Sequence, residues 1–222
     1  MLMTAMIFVG CKKDKNDDSG GGGDNQSYVD LELPSGLLWA TCNMGASKPE
    51  AYGVYIAWGE TGTKDTYSWA NYKYCESSMF ALTKYCNSAD CGYEGYTDSL
   101  TVLLPEDDAA AVRWGDGWHM PSVEDWLELF ENTTYTWTTR RGTEGALFTA
   151  PNGESLFFPA AGYRMDDDSY YAGSEGYYWS TAIVETRPYD AWCPVFHSGG
   201  MNLNSSRSVG QCIRPVRQKS ER

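Results

Sequence analysis

From Tyr135 to Val216 the chain breaks into short runs rich in aromatic and β-branched residues: "YTWTTR", "GALFTA", "ESLFFPA", "GYYWSTAIV", "DAWCPVF" and "SVGQCIRPV". Gly or Asn-Gly separates several of them, so each reads as a strand ended by a turn, and the series as antiparallel sheet. Nearer the start, "YVDLEL" (28–33) alternates, "PSG" turns it and "LLWATC" (37–42) completes a hairpin. "VYIAWGE" (54–60) is another apolar, β-rich run. Two helices stand out among these strands. "PEDDAAAVRWG" begins at Pro105, carries acids in its first turn and stops at Gly115, the asymmetry expected of helix ends. "PSVEDWLELFENT" has Ser122 as N-cap and Asp125 three residues on, a capping box with Asp in place of Glu or Gln. Val123, Trp126, Leu127 and Phe130 then fall at i, i+3, i+4 and i+7, one apolar stripe that assigns Trp126 to the core. Early helices and a late run of antiparallel strands define an α+β class of low helix content. No internal repeat is present.

The first residues do not read as fold. "MLMTAMIFVGC" is a short apolar run with a small residue before a cysteine. It resembles a bacterial lipoprotein signal, in which residues 1–10 are removed and Cys11 is acylated. It departs from that pattern in having no Lys or Arg ahead of the run and Phe8 where Leu is commoner, so a plain apolar stub stays open. About 20 apolar residues are needed to span a bilayer, and this run is about half that, so the expected state is anchored rather than spanning. Residues 11–27, "CKKDKNDDSGGGGDNQS", have nothing to bury and read as a flexible tether. The Lys/Asp stretch fits either a surface-export signal or a solubilising linker. Residues 28–217 suit one domain with a substantial core, and 218–222 form a short tail. The expected location is the outer membrane, as a surface-exposed lipoprotein.

Seventeen Lys and Arg stand against 30 Asp and Glu, a formal net charge of −13. That balance argues against nucleic acid as a partner, which requires clustered cations to neutralise phosphate. Sixteen Tyr, nine Trp and seven Phe supply many rings with polar ends, suited to a loop-rich extracellular fold or a recognition surface.

Beyond Cys11 the cysteines are Cys42, Cys75, Cys86, Cys91, Cys193 and Cys212. An even number in a chain with an export signal favours disulfides, with 15 possible connectivities. Cys86 and Cys91 could instead open a zinc site, but no second close pair completes four ligands.

In order along the chain, "LPSGLLWATCNMGASKPEAYGVYIAWGET", "GWHMPSVEDWLELF", "LFFPAAGYR", "GYYWSTAI" and "SVGQCIRPV" resemble the Fibrobacter succinogenes major paralogous domain family. The resemblance covers about Tyr28 to Val216. It implies a fold similar to that of C-type lectins and, more distantly, of formylglycine-generating-enzyme relatives. There, a segment of the "W-R-x-P-T-x-x-E-W" kind opens a helix and a "G-Y-x-W-S-S" segment forms a core strand. It also implies an exported or surface protein, often a lipoprotein.

The chemistries such a fold invites can be checked against the residues. Calcium-dependent sugar binding in C-type lectins uses Glu-Pro-Asn or Gln-Pro-Asp with a later Trp-Asn-Asp. Here Ala150 precedes Pro151-Asn152 and no Trp-Asn-Asp exists. Asp166, Asp167 and Asp168 offer carboxylates to a calcium ion, although three consecutive acids more often make a solvated turn. Oxidase chemistry of the formylglycine type needs a close cysteine pair, whereas Cys193 and Cys212 are distant; the iron-dependent relatives need three histidines, and this chain has His119 and His197. No Gly-x-Ser-x-Gly elbow is present, and a His197–Ser198 or His197–Ser206 pairing has no further support. The expected protein is not an enzyme, and no cofactor is implied.

What remains is binding. Residues 166–176, 185–192 and 197–208 are expected to form one ligand face. Tyr170, Tyr171, Tyr189 and Trp192 would supply aromatic area, and His197, Asn202, Asn204, Ser206 and Arg207 hydrogen bonds. Aromatic residues with Asn, Ser and Gly are what recognition loops use, though Trp179 and Trp192 are also candidates for the core. The expected partner is an extracellular glycan or protein. The alternatives are a structural cap or tip subunit of a surface fibre or outer-membrane assembly, and a variable protein of a diversity-generating retroelement, whose variable region the late polar run also resembles.

Overall fold

A computed structural model describes residues 26–219, with residues 200–204 described by their backbone alone. The signal segment 1–10, Cys11 and most of the tether lie outside the described residues, as do residues 220–222 of the tail.

Strands β1 (Tyr28–Asp30) and β2 (Leu37–Ala40) form the expected hairpin, with Tyr28 opposite Ala40 and Asp30 opposite Leu38. The run at 54–60 yields only a two-residue strand, β3 (Ile56–Ala57). The first helix is shorter than its sequence suggests. Pro105–Asp107 makes a single 3-10 turn, and α1 (Ala109–Trp114) starts only after Asp108, whose carboxylate accepts from the Ala110 and Ala111 N–H groups. Asp108 therefore acts as the N-cap, and the α-helix starts after it rather than at Pro105. Gly115 ends the helix at φ +61. The second helix, α2 (Val123–Asn132), has the expected box: Ser122 Oγ accepts from Asp125 N, and Asp125 accepts from Ser122 N.

The strands that follow are β4 (Thr134–Arg140), β5 (Thr143–Thr149), β6 (Ser155–Pro159), β7 (Tyr163–Met165), β8 (Asp168–Tyr170), β9 (Glu175–Tyr177), β10 (Ile183–Val184), β11 (Arg187–His197), β12 (Gly200–Ser206), β13 (Gly210–Gln211) and β14 (Val216–Gln218). They form mostly antiparallel sheets, ordered β1-β2-β14, β4-β5-β6, β3-β13-β7-β8 and β10-β11-β12 with β9 against β11. This is the expected α+β architecture. Both ends of the domain meet at β2, where Val216 pairs with Trp39 on the side away from β1.

Two apolar clusters make the core. One gathers Trp39, Trp126, Phe148, Phe158, Tyr178 and Phe196 between α2 and the β4-β5-β6 sheet. The other gathers Ile56, Trp58, Tyr72, Tyr85, Trp179 and Val195 beneath the long segment 58–104. Tyr178 and Trp179 are adjacent in sequence and face opposite ways, so "YYWS" divides the two cores along its own pleat. The stripe on α2 is rotated from the expected one. Trp126 and Leu129 are buried, while Leu127 is 44% exposed.

Two buried arginines lock the loops to this frame. Arg214 donates to Asn43 Oδ1 and to the carbonyls of Ala40 and Phe157. Arg207 donates through Nε to the Tyr72 hydroxyl and through its Nη atoms to the carbonyls of Lys84, Tyr85 and Pro188. Fixed forks of donors suit such convergent carbonyls in a way lysine cannot.

The six cysteines described are all free thiols, which corrects the expected stapled frame. Cys193 and Cys212 are separated by a strand. On one side Tyr178 N donates to Pro194 O, and on the other Cys212 N donates to Tyr177 O. Two inter-strand spacings, about 9.5 Å, exceed the roughly 7 Å between Cα atoms that a disulfide can bridge. Their side chains also enter different cores. Cys86 and Cys91 sit together in a small cluster with Leu82, against which Cys75 packs. Cys42 is half-buried beside Thr41. No group of three His, Cys, Asp or Glu able to hold a metal exists among the described residues.

Candidate functional site

The expected single ligand face does not form, because β11 holds its parts apart. Tyr189 lies near the start of that eleven-residue strand and His197 at its end, roughly 25 Å apart at the rise of an extended chain. The nine expected ligand-binding residues therefore divide among several environments.

Near the start of β11, Tyr189 is half-buried edge-on to Phe80, with ring centroids 5.9 Å apart. Ser206 pairs with Asp190 in register and shares a hydrogen bond with Ser208 Oγ. Arg207 is sealed in the core, 0% exposed, with its donors committed to the carbonyls and the hydroxyl named above. Its assignment to the ligand face is thus corrected: next to Ser206, the chain turns its long cation inward, where it covers Trp58. Trp192 lies apart from the platform: it is half-buried at the middle of β11 and lines a shallow apolar hollow with Trp126, Leu127 and Phe130 of α2. Asn202 and Asn204 lie on β12, where Asn202 pairs with Val195; their side chains are outside the described part of the structure.

At the far end of β11 the remaining residues do converge. Register places His197 opposite Glu175 and Val195 opposite Tyr177, so these four side chains share one face. His197 Nδ1 accepts from Gly199 N, and its carbonyl accepts from the Tyr135 hydroxyl. Tyr177 donates its hydroxyl to Glu175 Oε2 at 2.6 Å. Its ring meets that of Tyr163 at 4.9 Å, and Tyr163 in turn stacks on Tyr170 at 5.4 Å with the planes 17° apart. Tyr171 completes the group, 6.0 Å from Tyr163 and 6.3 Å from Tyr177. Four tyrosines from β7, β8, β9 and the turn after β8 thus form one continuous platform, and Tyr171 is its exposed member at 53%.

The backbone beneath the platform is tightly fixed. Tyr171 adopts φ +56, a left-handed conformation that a bulky residue holds only when its surroundings impose it. Its carbonyl accepts from Ser174 N, Glu175 N and Ser174 Oγ. Gly173 N donates to Ala160 O, and Gly162 N to Glu175 O. Gly162 is required here: a Cβ would lie 2.0 Å from Tyr170 O, and its φ is +63. Burial pushes the Tyr163 phenol up, with the neighbouring Tyr171, Tyr170 and Glu175 adding to the effect. Burial, followed by the bond to Glu175, pushes Tyr177 up strongly. Both rings stay neutral, and Tyr177 stays a donor.

The Asp166–Asp168 stretch is the tip of the β7–β8 hairpin, with Met165 opposite Asp168. Asp167 accepts from the Thr66 hydroxyl, and its carbonyl accepts from Arg164. The three carboxylates are exposed. His119 plays a structural part. Its Nδ1 lies 3.0 Å from Val216 O, and because a carbonyl only accepts, Nδ1 carries the proton.

Tyr170 and Tyr171 are among the residues expected from the sequence, whereas Tyr163, Tyr177 and Glu175 are not. The spacing of Glu175 and Tyr177 was visible in "SEGYY", but only the pairing of β9 with β11 and β7 with β8 brings them together.

No family model, no curated protein and no solved structure matches this chain. No helix among the described residues is long and apolar enough to cross a membrane.

Proposed function

We propose that this chain is a non-catalytic binding protein with a C-type lectin-like domain, held at a bacterial outer-membrane surface by acylated Cys11, whose ligand is an extracellular glycan or protein. The observation that carries the reading is the tyrosine platform: an exposed ring at Tyr171, supported by three others, on a turn whose backbone is bonded on every side. Such a surface is organised before the ligand arrives, so little ordering entropy is lost on binding. The lectin-like fold and the family resemblance draw support from two segments. Ser122 opens α2 within "GWHMPSVEDW", and Tyr178 and Trp179 of "GYYWST" are fully buried. Binding is expected to be indifferent to calcium.

The full chain, applied to arrays of immobilised glycans and proteins with and without chelator, should bind in a chelator-insensitive way. Failure to bind anything there, with co-purification in a stoichiometric surface assembly, would replace this reading with the structural-subunit one. One feature favours that second reading: among the described residues β4 pairs with β5 alone, which leaves one edge of a seven-residue strand without a partner there, a template for strand addition. Mass analysis of the mature N-terminus tests the anchor at Cys11.

A further inference from the structure

Resting on the reading of the tyrosine platform as a ligand seat, we propose that it takes a neutral saccharide, stacked on Tyr171 and donating a hydroxyl to Glu175. Three features separate this ligand class from others that aromatic surfaces bind.

The first is shape. The four ring centroids lie between 4.9 and 6.3 Å from their neighbours, so the rings touch one another and enclose no space. A quaternary ammonium is held by rings that surround it, and none here can. An open face at the rim suits a flat partner laid on from outside, as the C–H face of a pyranose is.

The second is charge. Glu175 lies within the platform, and Asp166, Asp167 and Asp168 stand exposed on the same hairpin. The neighbouring cation, Arg164, is turned the other way: its guanidinium lies over Tyr67 at 5.9 Å and donates to Asp167 O. Among the described residues no Lys or Arg lies over any of the four rings, and the imidazole of His197 faces Glu175 across the strand pair; a sialylated or uronate-containing sugar would meet mainly carboxylates, and like-charge juxtaposition is a strong determinant of rejection.

The third is hydrogen bonding. Tyr177 occupies Glu175 Oε2, which orients the carboxylate and leaves Oε1 to accept from a sugar hydroxyl. A carboxylate accepting from a neutral hydroxyl makes a stronger bond than a neutral pair would.

The full chain would be titrated with neutral hexose and N-acetylhexosamine oligosaccharides, with sialylated and uronate-containing ones of equal length, and with choline. The neutral sugars should bind, the acidic ones about tenfold or more weakly, and choline should not compete. Tyr171→Ala should weaken neutral-sugar binding by about five- to tenfold, and Tyr171→Phe by no more than about twofold, since the ring is what stacks. Glu175→Gln should weaken the neutral sugars and narrow the gap to the acidic ones. Preference for acidic sugars, competition by choline, or neutral-sugar binding indifferent to Tyr171→Ala would each overturn the inference. If no saccharide binds but an immobilised protein does, in a Tyr171-dependent manner, the saccharide falls and the ligand seat stands. If nothing binds in a Tyr171-dependent manner, both fall.

Discussion

The guanidinium carbon of Arg207 lies 4.8 Å from the centre of the Trp58 ring, with both residues closed off from solvent. Tyr72 lies 5.3 Å away and receives the Nε–H. The remaining bonds run to carbonyls at Lys84, Tyr85 and Pro188. Arg207 thereby ties the long loop-rich segment to β11 from beneath. Its removal leaves those acceptors buried and unmet. Arg207→Ala should cost about 3 kcal/mol or more, read as a fall in the urea midpoint, and Arg207→Lys should recover only part of it because an ammonium cannot reach the same set. Unchanged stability in both would contradict the structural role.

Trp192 lines the apolar hollow with Trp126 and Phe130. Trp192→Ala should lower stability by about 2 kcal/mol, less than truncation of a fully buried tryptophan. Tyr171→Ala, at an exposed position, should leave the melting temperature nearly unchanged. Comparing the two melting curves separates core from site.

At Gly162, Ala demands both a left-handed backbone and a Cβ 2.0 Å from Tyr170 O. Gly162→Ala should cost about 1–3 kcal/mol and loosen the turn that presents Tyr171. Amide exchange at Gly173 and Glu175 should rise with it; protection equal to wild type would mean that the clamp is not what holds the turn.

Asp107 and Asp108 should give opposite pH dependences. Burial alone would raise Asp107, but Lys84, Tyr74, Tyr85 and Lys73 all donate to it and hold it well below the usual carboxylate range. Its contribution is therefore present above the unfolded value of about 3.9 and is lost as pH falls below it. For Asp108, burial wins over the Met120, Ala111 and Ala110 N–H groups and raises the value. Its contribution is present at low pH and is lost as pH rises through the folded value. Asp107→Asn should lower the melting temperature near neutral pH and flatten its fall in acid, whereas Asp108→Asn should steepen that fall.

The thiols should report their burial. Burial, tempered by Arg214 and Asn43, pushes Cys212 up to about 12, and burial pushes Cys193 higher still. Alkylation of the native protein should be fastest at Cys42, slower at Cys75, and absent at Cys193 and Cys212 until denaturant is added. Peptide mapping without reduction should never find Cys193 joined to Cys212.

Local signals were legible in the sequence wherever one element decided the outcome. The β1–β2 hairpin, the Ser122–Asp125 box and the strand series from Tyr135 follow from turn residues, capping chemistry and alternation within a few positions. The rotation of the α2 stripe was not legible, because Leu127 and Leu129 are equally apolar and only the β4-β5-β6 sheet chooses between them. Likewise, "NSSRS" is polar by composition, yet its arginine is buried because carbonyls from two separate segments, Lys84–Tyr85 and Pro188 of β11, converge on it.

The sequence by itself determined an acidic α+β domain of short antiparallel strands, with tyrosines in its late turns. Only the tertiary structure decided which tyrosines act together. It placed Tyr163, Tyr170, Tyr171 and Tyr177 within 6.3 Å of a neighbour, and set Tyr189 and His197 at opposite ends of β11. The physical reason is register: strand pairing joins residues far apart in sequence, and a rigid extended strand parts residues that are near.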